Sequence, residues 1–181
     1  QLDLNAYRFK NEAGQEVVLA QYYAQGRPVL LNFVYYECTS LCTFVLNGLV
    51  DSLKKVDLVP GRDFELVTVS IDPKDTPELA TKKKKNYLKA YGRAEAEGGW
   101  HFLVSETESV KRLAEAVGFR YKYIEAEKQF SHPAATFVLT PGGKLSRVLY
   151  GIEYQQRDFK LALAEASTSK ISNVVERLNR K

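Results

Sequence analysis

The feature that most constrains the fold is Val29-Leu30-Leu31-Asn32-Phe33-Val34, followed at once by Tyr35-Tyr36-Glu37-Cys38-Thr39-Ser40-Leu41-Cys42. A run of mostly apolar β-formers without alternation describes a strand covered on both faces. From about Thr39 to Val56 the period changes. Leu41, Val45, Leu49 and Leu53 recur at helical spacing, with Phe44 and Leu46 widening the stripe. A doubly buried strand feeding an amphipathic helix is the first half of a strand–helix–strand unit. It commits the chain to a sheet with helices packed over it.

The remaining segments fit that plan. Tyr7-Arg8-Phe9 and Val17-Val18-Leu19 flank the turn residues Asn11-Glu12-Ala13-Gly14 and read as an N-terminal hairpin. Phe64 to Ile71 is a second strand, closed by Asp72-Pro73. A helix runs from about Pro77 to Tyr91, with Asp75 or Thr76 as its N-cap and Pro77 in its first turn. Trp100 to Val104 is a short strand, and Glu106 to Val117 a third helix ended by Gly118. Phe119 to Ile124 with Phe130 form an extra hairpin. Ala135 to Leu139 and Arg147 to Tyr150 pair across Pro141-Gly142-Gly143, and a last helix spans about Gln155 to Ala166. The expected class is α/β, a mixed central sheet flanked by helices. Neither a linker nor a repeat interrupts it, so residues 1–166 are expected to form a single domain. Residues 167–181 are a tail in which Ile171, Val174, Val175 and Leu178 have amphipathic helical spacing.

Composition narrows the function. With 181 residues, 45% of them hydrophobic, the chain is long enough to bury a sizeable core. The net charge of +4 is too mild to argue for nucleic acid, and no basic stripe is interleaved with aromatics. The basic run Lys82 to Lys85 lies in the second helix and reads as a solvated face. No apolar stretch is long enough to span a membrane. The chain begins at Gln1 and contains no Met, which leads to the expectation that a signal or anchor was removed or that the chain was trimmed.

The two cysteines are four residues apart, so a disulfide-stapled scaffold is excluded and local chemistry is indicated. Residues so spaced on a helix share a face, with Cβ atoms roughly 5–6 Å apart. Two thiols at that separation can form a disulfide after small adjustment or converge on a metal. A helix N-terminus stabilises negative charge, so at least one thiol should ionise readily, and the thiolate is both nucleophile and metal ligand. Two thiolates suit soft Cu(I), and one imidazole completes a three-coordinate site, whereas zinc wants a fourth donor. The chain has two histidines. His101 lies in a strand and reads as a sheet edge or end residue. His132 lies in a loop beside Pro133, just before a strand, from which it can reach the first helix's N-terminus.

At these residues the sequence resembles the SCO/SenC family of copper chaperones. The resemblance runs from about Phe9 to Ala166. It is carried by Leu31–Tyr36 leading into Cys38-x-x-x-Cys42, by Val69-Ser70-Ile71-Asp72-Pro73 with Asp75-Thr76-Pro77, by Trp100-His101-Phe102-Leu103, and by His132 five residues before Phe137. It implies a thioredoxin-like fold and copper, Cu(I) or Cu(II), bound by Cys38, Cys42 and His132. It further implies a redox-active Cys38–Cys42 pair. The implied partner is the cytochrome c oxidase subunit carrying the copper A centre, with other copper or thiol-redox proteins as further candidates. The implied location is the periplasm or the mitochondrial intermembrane space, on a membrane anchor. Thr39 and Thr43 stand where the family commonly has Pro, Asp72–Pro77 is one residue short of the usual form, and Ser131 replaces a common acidic residue. Such neighbours tune metal affinity and redox potential. Glu37 and Asp72 are candidates for tuning the thiols.

A metallochaperone that releases copper by ligand exchange is the first functional expectation. A thiol–disulfide oxidoreductase, with Cys38 attacking and Cys42 resolving, is the second and does not need His132. A thioredoxin would normally carry CxxC, which weakens a general reductase. Peroxidase chemistry is weaker still, because no Thr-x-x-Cys with a partnering Arg stands out.

Overall fold

The computed structural model describes residues 1–37, 41–105 and 108–168, with the backbone alone at 41 and 42. The chain opens with an antiparallel hairpin, β1 (Arg8–Lys10) and β2 (Glu16–Val18), in which Phe9 faces Val17. Asn11 closes the turn, its side-chain oxygen accepting from the amides of Ala13 and Gln15. The strand expected at Val17–Leu19 gives way at Leu19 to a short 3-10 turn through Tyr23.

The central sheet has five strands in the order β5 (Trp100–Leu103), β4 (Glu65–Ser70), β3 (Val29–Val34), β8 (Ala135–Leu139), β9 (Leu145–Tyr150). The first three are mutually parallel, and β8 and β9 run antiparallel, so the sheet is mixed. Every residue of β3 and β4 is buried, including the polar Asn32, Glu65, Thr68 and Ser70. Among the described residues four α-helices complete the sandwich: α1 (Leu41–Lys54), α2 (Pro77–Tyr91), α3 (Ser109–Val117) and α4 (Gln156–Ser167). Right-handed crossovers between neighbouring parallel strands put α1 and α2 on the same face, where they pack together. On that side Trp100 donates to Thr68 and packs near Tyr87 of α2. On the other side Phe33 stacks on Phe119 at 4.7 Å and meets Phe137 edge-on at 5.9 Å. The extra hairpin is β6 (Lys122–Ile124) paired with β7 (Gln129–Ser131).

Several boundaries differ from the sequence expectations, for identifiable reasons. Phe119 turns into the core instead of opening β6, which starts three residues later. Thr76 is the N-cap of α2, its hydroxyl accepting from the Leu79 amide, while Asp75 is buried and engaged elsewhere. Phe44 does not widen the apolar stripe of α1. It is 60% exposed, while Val45, Leu46, Leu49, Val50 and Leu53 form the buried face. Gly48 lets α1 approach the chain after β9, because a Cβ there would collide with the Ile152 carbonyl. The helical tail expected at Ile171–Leu178 lies outside the described residues. So do Thr39 and Ser40 at the expected start of α1, and Glu106 and Thr107 at that of α3.

Candidate metal centre

Functional groups collect at the carboxyl ends of β3 and β4, where an α/β sheet characteristically opens a binding crevice. Cys42 is the second residue of α1, at the helix end whose free amides favour an anionic sulfur. Cys38 and the side chain of Cys42 lie outside the described residues. What the structure defines is the frame around them.

The exit from β3 is held by Tyr36, which is 2% exposed. Its hydroxyl donates to the Leu103 carbonyl at 2.6 Å, anchoring the ring under the sheet's end. Its amide donates to Asp75 Oδ2 at 2.7 Å, and the same oxygen accepts from the Ser70 hydroxyl at 2.6 Å. Burial pushes the Asp75 carboxyl above its ordinary value, the bonds from Ser70 and Tyr36 pull it down, and the charges of Asp72 and Glu37 push it up again. Asp72 itself makes a turn, accepting from the Lys74 amide, and Glu37 is exposed.

His132 sits between β7 and β8 and is 9% exposed. Its ring meets Tyr35 edge-on at 6.2 Å and lies 5.9 Å from Phe119. Tyr35 precedes Cys38 by three residues, so the imidazole lies against the segment that leads into the first cysteine. Nδ1 is 2.9 Å from the Pro133 carbonyl. A carbonyl only accepts, so Nδ1 carries the proton and Nε2 the lone pair. Burial lowers the His132 pKa from its ordinary value, and the Pro133 bond opposes the drop. A neutral ring with a fixed tautomer is the state a soft metal needs.

His101 is placed at the opposite end of the sheet. Its Nε2 lies 2.8 Å from Glu65 Oε2, its ring packs on Tyr22 at 4.3 Å, and Glu65 also binds Arg27 at 3.0 Å. This histidine belongs to a structural ion cluster. Among the described residues no three His, Cys, Asp or Glu side chains gather as a metal group; the cysteine thiols fall outside that statement.

Two features were missed by sequence reasoning. One is the tie from Asp75 to Tyr36, hidden because Asp-Thr-Pro also reads as a helix cap. The other is a groove of about 600 Å³ lined by Tyr35, Asp72, Tyr121, Tyr123 and Phe130, with Glu37 and Lys128 at its rim. Its aromatics at 121, 123 and 130 were visible only as hairpin residues.

The sheet order, the helices over it and the cysteine-bearing helix start define a thioredoxin-like protein. A family model for SCO1/SenC matches residues 4–166, and the chain belongs to that family. No curated protein sequence matches it. Among solved structures, a candidate electron transfer protein from Aquifex aeolicus VF5 is similar at 29% identity, with 90% of each chain covered and a TM-score of 0.75. Apo Sco1 from Thermus thermophilus is 26% identical over 80% of this chain and 79% of that one, with a TM-score of 0.58. Copper-bound ScoI from Arabidopsis thaliana, at 17% identity, covers 94% of this chain and 96% of its own, with a TM-score of 0.61, and shares the fold.

Proposed function

We propose that this protein binds one copper ion through Cys38, Cys42 and His132 and carries it as cargo for assembly of the copper A centre of cytochrome c oxidase. The observation that carries the reading is His132: a buried imidazole whose Nδ1 is held by the Pro133 carbonyl and whose pKa burial lowers, packed against the residue that leads into the cysteine segment. The donor set is chemically apt, since two thiolates and one imidazole suit Cu(I). Family membership supports the copper role. So do the copper-bound plant and Bradyrhizobium japonicum neighbours, and a further neighbour described as one of the Sco family of cytochrome c oxidase assembly proteins. In this reading residues 1–166 are a single domain, followed by a tail at 167–181. The protein works outside the cytoplasm on a membrane anchor, a reading supported by a lipoprotein neighbour from Bacillus anthracis. No helix among the described residues is long and apolar enough to cross a membrane.

A second reading, thiol–disulfide exchange on a partner's cysteine pair, is favoured by Cys42 at the N-terminus of α1. The two are compatible, because the same thiols can reduce a target and then metallate it. Titration of the reduced protein with Cu(I) against a competing chelator tests the copper reading. Loss of binding is expected in the Cys38→Ser, Cys42→Ser double variant, and unchanged affinity there would sink it. His132→Ala separates the readings: copper affinity collapses, while disulfide reductase turnover persists.

A further inference from the structure

The cysteine segment leaves β3 through Tyr36, and the peptide at that exit is tied across to a different loop. Asp75 comes from the turn between β4 and α2, yet its Oδ2 accepts the Tyr36 amide at 2.7 Å. The Ser70 hydroxyl at the end of β4 fixes the same oxygen at 2.6 Å, and the Asp75 amide donates to the Asp72 carbonyl at 3.1 Å. Asp75 is 4% exposed and Tyr36 2% exposed, so neither bond is open to water. A hydrogen bond shut off from water is directional, and its loss leaves a buried donor unsatisfied. The tie also lies next to the proposed copper site. Tyr36 is two residues before Cys38, and its neighbour Tyr35 is the ring that contacts His132.

We infer that Asp75 is a positioning residue, which sets where the chain carrying Cys38 leaves the sheet and so holds the first thiol in register with His132. The inference deepens the proposed function and rests on that reading. What matters is the place of one oxygen atom, not the carboxylate charge. The charge is already crowded by Asp72 and Glu37, which face it. A side chain that keeps the oxygen but loses the charge should therefore work. One that keeps the charge but moves the oxygen should not.

Asp75→Asn and Asp75→Glu make that separation, and both are mild enough to fold. The reduced proteins are titrated with Cu(I) against a competing chelator. Asp75→Asn is expected within about threefold of the parent affinity, and Asp75→Glu at least tenfold weaker, in the range seen when residues that orient metal ligands are changed. A second measurement does not involve copper. The apoproteins are equilibrated with reduced and oxidised glutathione. The Cys38 and Cys42 S–H bonds break, one S–S bond forms between them, and glutathione disulfide takes up both electrons and both protons to give two thiols. The equilibrium constant is expected to shift at least fivefold in Asp75→Glu and little in Asp75→Asn. Exchange of the Tyr36 amide should be slow in the parent and Asn variant and fast in the Glu variant. If the parent takes up no Cu(I), the copper reading fails, and the glutathione constants and amide exchange alone judge Asp75. Equal constants and equal exchange in all three proteins overturn the inference. Loss in Asp75→Asn with retention in Asp75→Glu overturns it too, because charge would then be what counts.

Discussion

The two histidines lie at opposite ends of one sheet and differ in what surrounds them. At the amino ends of β4 and β5, His101 meets the buried carboxylate of Glu65, which Arg27 also grips, and Tyr22 covers the ring. At the carboxyl end of β3, His132 meets rings and a backbone carbonyl. The first imidazole is held by a carboxyl group that also pairs with an arginine. The second is packed among aromatic rings, and burial there lowers its pKa. The same side chain is thus tied to a polar partner at one end and enclosed by rings at the other.

The largest test exchanges the two roles. His132→Ala should lower Cu(I) affinity on the order of 100-fold or more, since a ligand outweighs the residues that merely orient one. His101→Ala should leave copper affinity within about twofold and lower the thermal midpoint instead. A chelator competition on both variants reads the pair. Equal copper losses would erase the distinction between the ends.

Next in size is Glu65→Ala. Glu65 is 5% exposed and holds both Arg27 and His101, so removing it strands the Arg27 guanidinium and takes away the partner of His101 Nε2. Breaking a buried pair from one side costs about 3–5 kcal/mol. Because Arg27 keeps some contact with water and with the Gly61 carbonyl, the lower figure is expected. Urea unfolding measures it, and copper affinity should not follow.

A smaller effect distinguishes the histidines by pH. Burial holds the His132 pKa below 6.5 in the folded protein. On acidification the unfolded chain therefore takes up this proton before the folded one does. Full stability is present above the unfolded value, and part of it is lost as pH falls from about 6.5 toward the folded value. The urea midpoint of the apoprotein should fall more steeply over that window than that of His132→Gln. Parallel curves would show that the ring is not buried as described.

These contrasts also show what sequence could and could not carry. The strands at Val29–Val34 and Glu65–Ser70 are legible because burial on both faces leaves short runs rich in β-formers, bounded by turn residues. The start of α2 was legible because Thr76-Pro77 joins a capping hydroxyl to a residue that needs no amide. The cysteines announced themselves by falling between a strand and a helix. His132 did not, since a loop histidine beside a proline carries no local sign of burial; its loop position in part, and the family resemblance above all, set it above His101. Sequence leaves Asp75 beside Thr76 as one of two possible caps, because its partners Tyr36 and Ser70 come together only once β3 and β4 are adjacent.

Phe44 gives the smallest effect and sharpens the same contrast between ends. Periodicity counted it among the apolar residues of α1, but it is 60% exposed, two residues after Cys42, while Leu49 on the same helix is 1% exposed. Removing Leu49 to Ala should cost about 2–5 kcal/mol, because a core cavity forms. Phe44→Ser should change stability by no more than about 0.5 kcal/mol, because nothing of the core rests on it. If urea midpoints bear this out, the apolar ring beside the cysteine segment is surface. Any slowing of copper transfer to a partner in Phe44→Ser would then report docking and not folding. A large stability loss would instead return Phe44 to the core, and with it the wider stripe that periodicity alone suggests.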